Sequence, residues 1–513
     1  MRIAHLMLLS TLRGLVPGLL LAPSLLLAQD TVSLGHSGTT DGRELPVVEH
    51  VLANGMRFLL LHREGAPIVS FVVYVPVGSV NESHGETGIS HFVEHLLFKG
   101  TTTIGTRDVE AERVLFRRMD AAHDSLVRER GRLPEPDPLE VERLGIRIAS
   151  LEDSARVFVV PNEYSQILSR NGARGLNATT SLEATQYFVD LPANRAELWF
   201  ALEADRIRNP VFREFFTERA VILEERRARV DSSPEGFFSE AYLAAAFQVH
   251  PYGVPPSGYP NDIQALTRSR VEEYLRRYYG PRNMTVAIVG NFDPDSARVW
   301  ADRYFGPIPP GDPVPLVLAR EPEQGGERRI EVLFDADPQL RIGWTIPSAI
   351  DPEGPALNML ANLLVAGRDS RLYRRLVREG RLASAVTVET GPGSLYPGIF
   401  TIQAIPLAPH TPEEVEAAIY EELERLIRAP PTEDELAPVR TRLEASGVRR
   451  LTSNQGLAFQ LASSQSIWGD WRETFSLQDR MRRVDAEDIV ELVERYLTPE
   501  RRTVAILHRR EAP

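Results

Sequence analysis

The sequence predicts an α+β fold built as two repeats of one unit, and three observations carry that reading. Strand and helix patterns alternate from Val47 to residue 305. A Pro- and Gly-dense stretch, "GPIPPGDPVPLVLAREPEQGG" (306–326), then interrupts them and reads as an interdomain linker. Beyond it the strand–helix order restarts. At 513 residues and 57.4 kDa the chain exceeds what a single core supports, so more than one domain is required.

The elements follow in order. "MRIAHLMLLSTLRGLVPGLLLAPSLLLAQD" carries Arg2 and Arg13, no acid before Asp30, and an apolar run from Gly14 to Ala28. It reads as a secretory signal peptide (1–28) cut after Ala28, with Leu26 an imperfect residue at the −3 position. A retained anchor is the alternative, against which Pro17, Pro23 and the short run argue. A periplasmic or secreted location without stable membrane insertion is therefore expected, with 29–46 a flexible segment.

An N-terminal domain is expected over 47–305 and a C-terminal one over 327–513. In the first, "VEHVLANGMRFLLLHRE" places an Asn54-Gly55 turn between two apolar runs, a hairpin signal. "APIVSFVVYVPVGS" reads as a buried strand, Gly85 to Phe98 as a helix, and "NMTVAIVGNF" (283–292) as another strand. Between them, residues 106–160 hold two charged helical segments around "PEPDP", an inserted helical hairpin with no evident chemistry of its own. The second domain offers a strand in "QLRIGWTIPSA", helices in "PALNMLANLLVAG" and "SRLYRRLVREG", and a strand in "GIFTIQAIP". Two long helical stretches and a closing strand, "RRTVAILH" (501–508), follow.

One internal alignment links the halves. "HFVEHLLFKG" (91–100) matches "NMLANLLVAG" (358–367) through a Leu-Leu pair and a closing Gly. His91 falls on Asn358, Glu94 on Ala361 and His95 on Asn362, so the second copy keeps the helix and loses every ionisable group.

Composition narrows the chemistry. A net charge of −13, with no Lys/Arg cluster, argues against nucleic-acid binding. The absence of cysteine leaves only His, Asp and Glu for a metal site. His91 and His95 are the one histidine pair at i, i+4, so a helix presents both imidazoles on one face, with Glu94 directed to the same side. Three protein ligands and one water make a hydrolytic zinc site, so a carboxylate from another helix is needed. "FREFFTERAVILEERRARVDSSPEG" (212–236) offers Glu218 and Glu225, seven apart on one face. By spacing alone this pair reads more readily as a solvated acidic face paired with Arg219 and Arg226.

"GISHFVEHLLFKGT" (88–101), "NATTSLEATQYF" (177–188) and "FTERAVILEERR" (216–227), in this order, resemble the pitrilysin (M16) family of inverted-zincin metallopeptidases. That family includes the mitochondrial processing peptidases and insulin-degrading enzyme. The resemblance runs from about Val47 to His508. It implies two homologous α/β-sandwich repeats forming half of a clam-shell chamber. It also implies a zinc-dependent endopeptidase acting on peptides or unfolded segments. In it His91, His95 and Glu225 would be the zinc (Zn2+) ligands, Glu94 the general base, and Glu218 a supporting acid behind the ligands. Register with the "ER" seven residues upstream favours Glu225 over its neighbour Glu224. Asn177, Ala178 and Thr179 would lie on an edge strand to which an extended substrate adds.

Two departures from the family pattern bear on assembly. The 106–160 insertion lengthens the gap between His95 and Glu225. An Arg/Tyr pair that family members often place opposite the zinc falls here on Val377 and Ser384. The expected partner is a second pitrilysin-like subunit that supplies the pair, a heterodimer being favoured over a homodimer. The alternative is a non-catalytic or chaperone-like subunit.

Overall fold

A computed structural model of the protein describes residues 39–40 and 43–510. The signal peptide expected at 1–28, and most of the segment expected to be flexible at 29–46, lie outside the described residues.

Apart from a two-residue ladder at its start, the chain forms two mixed sheets. The first contains β1 (Val48–Val51), β2 (Arg57–His62), β3 (Ile68–Val75), β4 (Arg174–Thr180), β5 (Thr185–Pro192) and β6 (Thr285–Gly290). The second contains β7 (Arg328–Phe334), β8 (Gln339–Ile346), β9 (Ala383–Gly391), β10 (Gly398–Pro406) and β11 (Arg502–Arg509). Their orders are β1-β2-β6-β3-β5-β4 and β7-β11-β8-β10-β9. If β2 is laid on β7, every later strand of the first sheet finds a counterpart. The one parallel pair of each sheet, β2·β6 and β7·β11, falls at the same place. The two halves thus repeat one topology, and residues 308–325 between them carry no regular structure.

Central strands of the first sheet are apolar throughout because both faces are covered. β6 is wholly buried, and β3 is buried from Val69 to Val75. β4 behaves differently: Asn177 and Thr179 are exposed, while Ala178 and Thr180 turn inward. That alternation belongs to an edge, and among the described residues β4 pairs only with β5.

Helices fill the remaining layers. Those that matter for the site are α1 (Ile89–Leu96), the hairpin of α2 (Val109–Arg130) and α3 (Pro138–Ala155), α4 (Phe215–Arg226) and α5 (Pro234–Ala246). In the second half α6 (Gly354–Val365) follows β8 as α1 follows β3. Within α6, Asn362 Nδ2 donates to Asn358 Oδ1 at 3.2 Å and to its carbonyl at 2.9 Å. The positions matching the two histidines therefore hold each other.

The C-terminal region departs from the expected two long helical stretches. It forms five helices between Pro412 and Tyr496, and "SRLYRRLVREG" ends in a π-helical segment, Tyr373–Glu379. One of the five, α7 (Asn454–Trp468), leaves its own half and packs on β3 and β6 of the first sheet. Leu457, Ala458, Leu461 and Ala462 meet Leu59, Val72 and Val289 there. In return, α5 of the first half packs on β7 and β11 of the second. Phe238, Tyr242 and Ala246 lie against Val332, Ala505 and Leu507. Gly343 makes room for this docking, because a Cβ there would sit 1.7 Å from the Tyr242 hydroxyl.

Leu461 is fully buried in that crossing. Leu461→Ala is expected to destabilise the protein by about 2–5 kcal/mol, the range for deleting a buried leucine side chain. Urea unfolding followed by tryptophan fluorescence checks this; a loss below about 1 kcal/mol would mean that α7 adds little to the fold.

Candidate metal centre

The site is assembled where α1 crosses α4 beneath β4. α1 starts at Gly88, whose φ of +86° turns the chain into the helix. A side chain there would also press on the backbone at Ser257 and Gly258, 3.0–3.1 Å away. The first free amides of α1 are held by Glu82, which accepts from Gly88 N at 2.7 Å and Ser90 N at 2.9 Å. Burial pushes the Glu82 carboxyl up to about 7, against the pull of those hydrogen bonds. Phe92, Val93 and Leu96 anchor the helix in the core, which leaves His91 and His95 together on the remaining face.

The two imidazoles stand perpendicular, ring centroids 4.8 Å apart. Glu225, in the last turn of α4, points at both. Its Oε2 lies 3.8 Å from His91 Nε2 and 3.6 Å from His95 Nε2. One donor atom from each of the three residues falls within 4.8 Å of the others. Glu224 is exposed and pairs with Arg227 at 2.6 Å, so it takes no part.

The electrostatics suit a cation. Burial, with smaller contributions from His95 and Arg229, pushes the His91 pKa down to about 3, so its imidazole is neutral with a free lone pair. His91 Nδ1 is buried without a partner. His95 behaves oppositely: burial works against its charge, yet its hydrogen bond to Glu218 and the Glu94 and Glu225 carboxylates raise its pKa. Two imidazoles and a carboxylate, one histidine already neutral and the other facing excess negative charge, fit a divalent zinc ion. Binding it would neutralise the carboxylates that now lean on His95.

Glu218 stands one layer behind. Its Oε2 is 3.3 Å from His95 Nδ1 and its Oε1 2.5 Å from Lys99 Nζ, the chain's single lysine. Burial opposes the Glu218 charge, but these two partners hold its pKa below the usual range. A carboxylate on the outer nitrogen fixes the ring so that Nε2 faces inward. Arg229, just past α4, grips the other Glu225 oxygen at 2.6 Å.

Glu94 is buried beside the group but outside it. Its Oε2 accepts the Thr180 hydroxyl at 2.5 Å. Burial raises the Glu94 pKa, partly offset by that bond. Thr180 closes β4, so the strand carrying Asn177, Ala178 and Thr179 is tied directly to Glu94. Asn177 and Thr179 lie on the exposed face of the strand and Ala178 on the buried one. Sequence reasoning missed Glu82, Lys99, Thr180 and Arg229. Lys99 was visible as an isolated lysine one turn after His95, whereas the others are brought in by folding from outside the motif.

Comparison with known proteins places this geometry. Residues 57–114 and 159–258 match the model described as insulinase (peptidase family M16), and 265–443 match the peptidase M16 inactive domain. The zinc protease PqqE of Helicobacter pylori is 25% identical over 474 residues, covering 90% of this chain and 93% of that protein. An uncharacterised zinc protease of Mycobacterium tuberculosis is 26% identical, covering 89% and 92%. Among solved structures, a Helicobacter pylori protease superposes with a TM-score of 0.74 at 24% identity, over 90% of this chain and 99% of that one. The Escherichia coli periplasmic protease PqqL superposes with a TM-score of 0.67 at 18% identity, over 90% of this chain but 47% of its own. With two domain models of one family covering more than half of its length, and the same topology in both halves, the chain belongs to the M16 family of peptidases.

Proposed function

We propose that the protein is a zinc-dependent endopeptidase that hydrolyses peptides or unfolded segments. The observation that carries this reading is the convergence of His91, His95 and Glu225 beside the Glu94 carboxylate and an unpaired strand edge. Zinc held by those three residues would supply a Lewis acid for the scissile carbonyl and acidify water. The chain's own residues do the rest. β4 offers its free edge to an extended substrate, whose backbone adds as a further strand. Glu94, raised in pKa by burial, takes a proton from the attacking water and returns it to the leaving amine. Thr180 holds one Glu94 oxygen, which leaves the other for that transfer. Glu218 and Lys99 keep His95 turned inward.

Partner and location belong to the same proposal. Val377 packs against the second core and Ser384 donates to the Ile405 carbonyl of its own sheet, and neither carries the guanidinium or phenol of the family pair. A second pitrilysin-like subunit closing a clam-shell chamber, in a heterodimer more readily than a homodimer, would supply that pair. Among the described residues no helix is long and apolar enough to cross a membrane. The N-terminal signal pattern, with a periplasmic protease among the structural neighbours, supports a periplasmic or secreted enzyme.

Glu94→Gln is expected to keep its zinc, measured by elemental analysis, and to lose cleavage of a quenched peptide library by about 10²–10⁴-fold. Equal cleavage by the wild type and this variant would reject the mechanism and favour a non-catalytic subunit.

Glu225→Gln should lose stoichiometric zinc, while Glu218→Gln should weaken zinc binding by about 10–100-fold, both read by chelator competition. Zinc held equally by all three chains would exclude these assignments.

Thr180→Val should lower kcat by about tenfold or more without changing zinc content, and Thr180→Ser should restore it. Failure of serine to rescue would reduce Thr180 to a packing residue.

A further inference from the structure

The hairpin of α2 and α3 lies outside the shared scaffold, because residues 115–158 fall in the gap of the insulinase match. It is nevertheless fixed firmly to the first turn of α4. Glu112 and Arg213, both wholly buried, pair at 2.9 Å just ahead of that helix. Glu152 accepts the Thr217 amide at 3.2 Å, and Arg219 Nη1 reaches His123 Nε2 at 2.6 Å. Phe216 packs into both apolar clusters of the hairpin.

The hairpin also carries an open groove of about 500 Å³. Arg117 and Arg118 reach into it from α2, Arg143 and Arg147 from α3, over a floor that includes the buried Ala122 and Leu144. No acidic side chain lines it. Arg143 pairs with Glu140 at 2.5 Å, whereas Arg117, Arg118 and Arg147 make no ion pair among the described residues.

We propose that this groove binds an acidic segment of the peptide substrate, away from the scissile bond; the proposal rests on the peptidase reading. Guanidinium forks match carboxylates in two-point hydrogen bonds. The chain as a whole carries −13 and repels acidic peptides, so a concave cluster of arginines reverses the local sign where such a peptide must dock. The groove has the volume of a ligand pocket. Its concavity also suits a chain segment better than a flat lipid surface, which an amphipathic helix meets with a convex face. Leu144 of the floor shares a cluster with Phe216, and Phe216 stands nine residues before Glu225 on α4. That helix span is about 14 Å, the reach of four or five extended residues.

The test is fluorescence anisotropy with the full chain carrying Glu94→Gln, so that the probe stays intact. The probes are a labelled peptide with a run of glutamates and its glutamine counterpart. The glutamate peptide is expected to bind about tenfold more tightly at low salt. Arg117→Glu together with Arg147→Glu should abolish that preference, while Arg320→Glu together with Arg483→Glu, the same charge change at two exposed sites elsewhere, should retain it. Equal binding of the two peptides, or a preference that survives the double substitution, overturns the proposal. Binding to anionic phosphatidylglycerol vesicles without any glutamate preference also overturns it, in favour of a membrane surface. Because the readout is binding, failure of the wild-type chain to cleave any peptide would count against the peptidase reading alone.

Discussion

A sheet whose central strands are apolar on both faces must be covered twice, and neither half of this protein can do that alone. β2, β3 and β6 present Leu59, Val72 and Val289 toward a layer that α7, from the other half, fills together with Trp471 and Phe475. β7 and β11 wait likewise for α5. This exchange fixes more than stability. α5 follows α4 after a short π-helical turn, Arg227–Asp231, so docking α5 on the second sheet anchors the chain just beyond Glu225. The Glu183 carboxylate, which accepts the Ser394 and Leu395 amides at 2.8 Å, ties the loop between β4 and β5 to the second half as well. Two elements of the candidate site, the α4 carboxylate and the edge strand, are thus positioned by contacts with the domain that carries no ionisable site of its own.

Within the site, ionisable groups tolerate burial because each has an assigned neighbour. Glu218 keeps its charge through Lys99 and His95, and Glu225 is gripped by Arg229. His91 is the exception, neutral and with one buried nitrogen lacking a partner. A cluster of one neutral imidazole, one imidazole surrounded by carboxylates and one carboxylate has a deficit of positive charge, which a divalent cation corrects.

Local patterns were legible where local physics decides. The Asn54-Gly55 turn, the apolar runs of β3 and β6, and the i, i+4 histidines all depend on neighbours in sequence. The paired carboxylates of α4 were ambiguous, because spacing shows that Glu218 and Glu225 share a face but not what that face meets. The choice between Glu224 and Glu225 became physical only when α1 crossed α4. Thr180 and Glu82 were illegible for the same reason: hydrogen bonds spanning 86 residues, or turning back on a helix start, leave no periodic trace. The splitting of the C-terminal stretches was missed because α7 is apolar on a face that serves a distant sheet, so its pattern merges with its neighbours'.

The two copies of one helix sharpen what the site requires. α1 and α6 occupy equivalent places after β3 and β8, so packing demands at this position are met twice. In α6 the demand is met without charge, with Asn362 bonded to Asn358 and the small Ala361 buried. In α1 the same positions carry two imidazoles and a carboxylate, which need Glu218, Lys99, Arg229 and Thr180 around them to remain where they are. A fold that accepts Asn-Ala-Asn has no structural need for His-Glu-His. The added charges, together with the residues that restrain them, are explained by chemistry at their convergence point and by nothing in the packing of the helix.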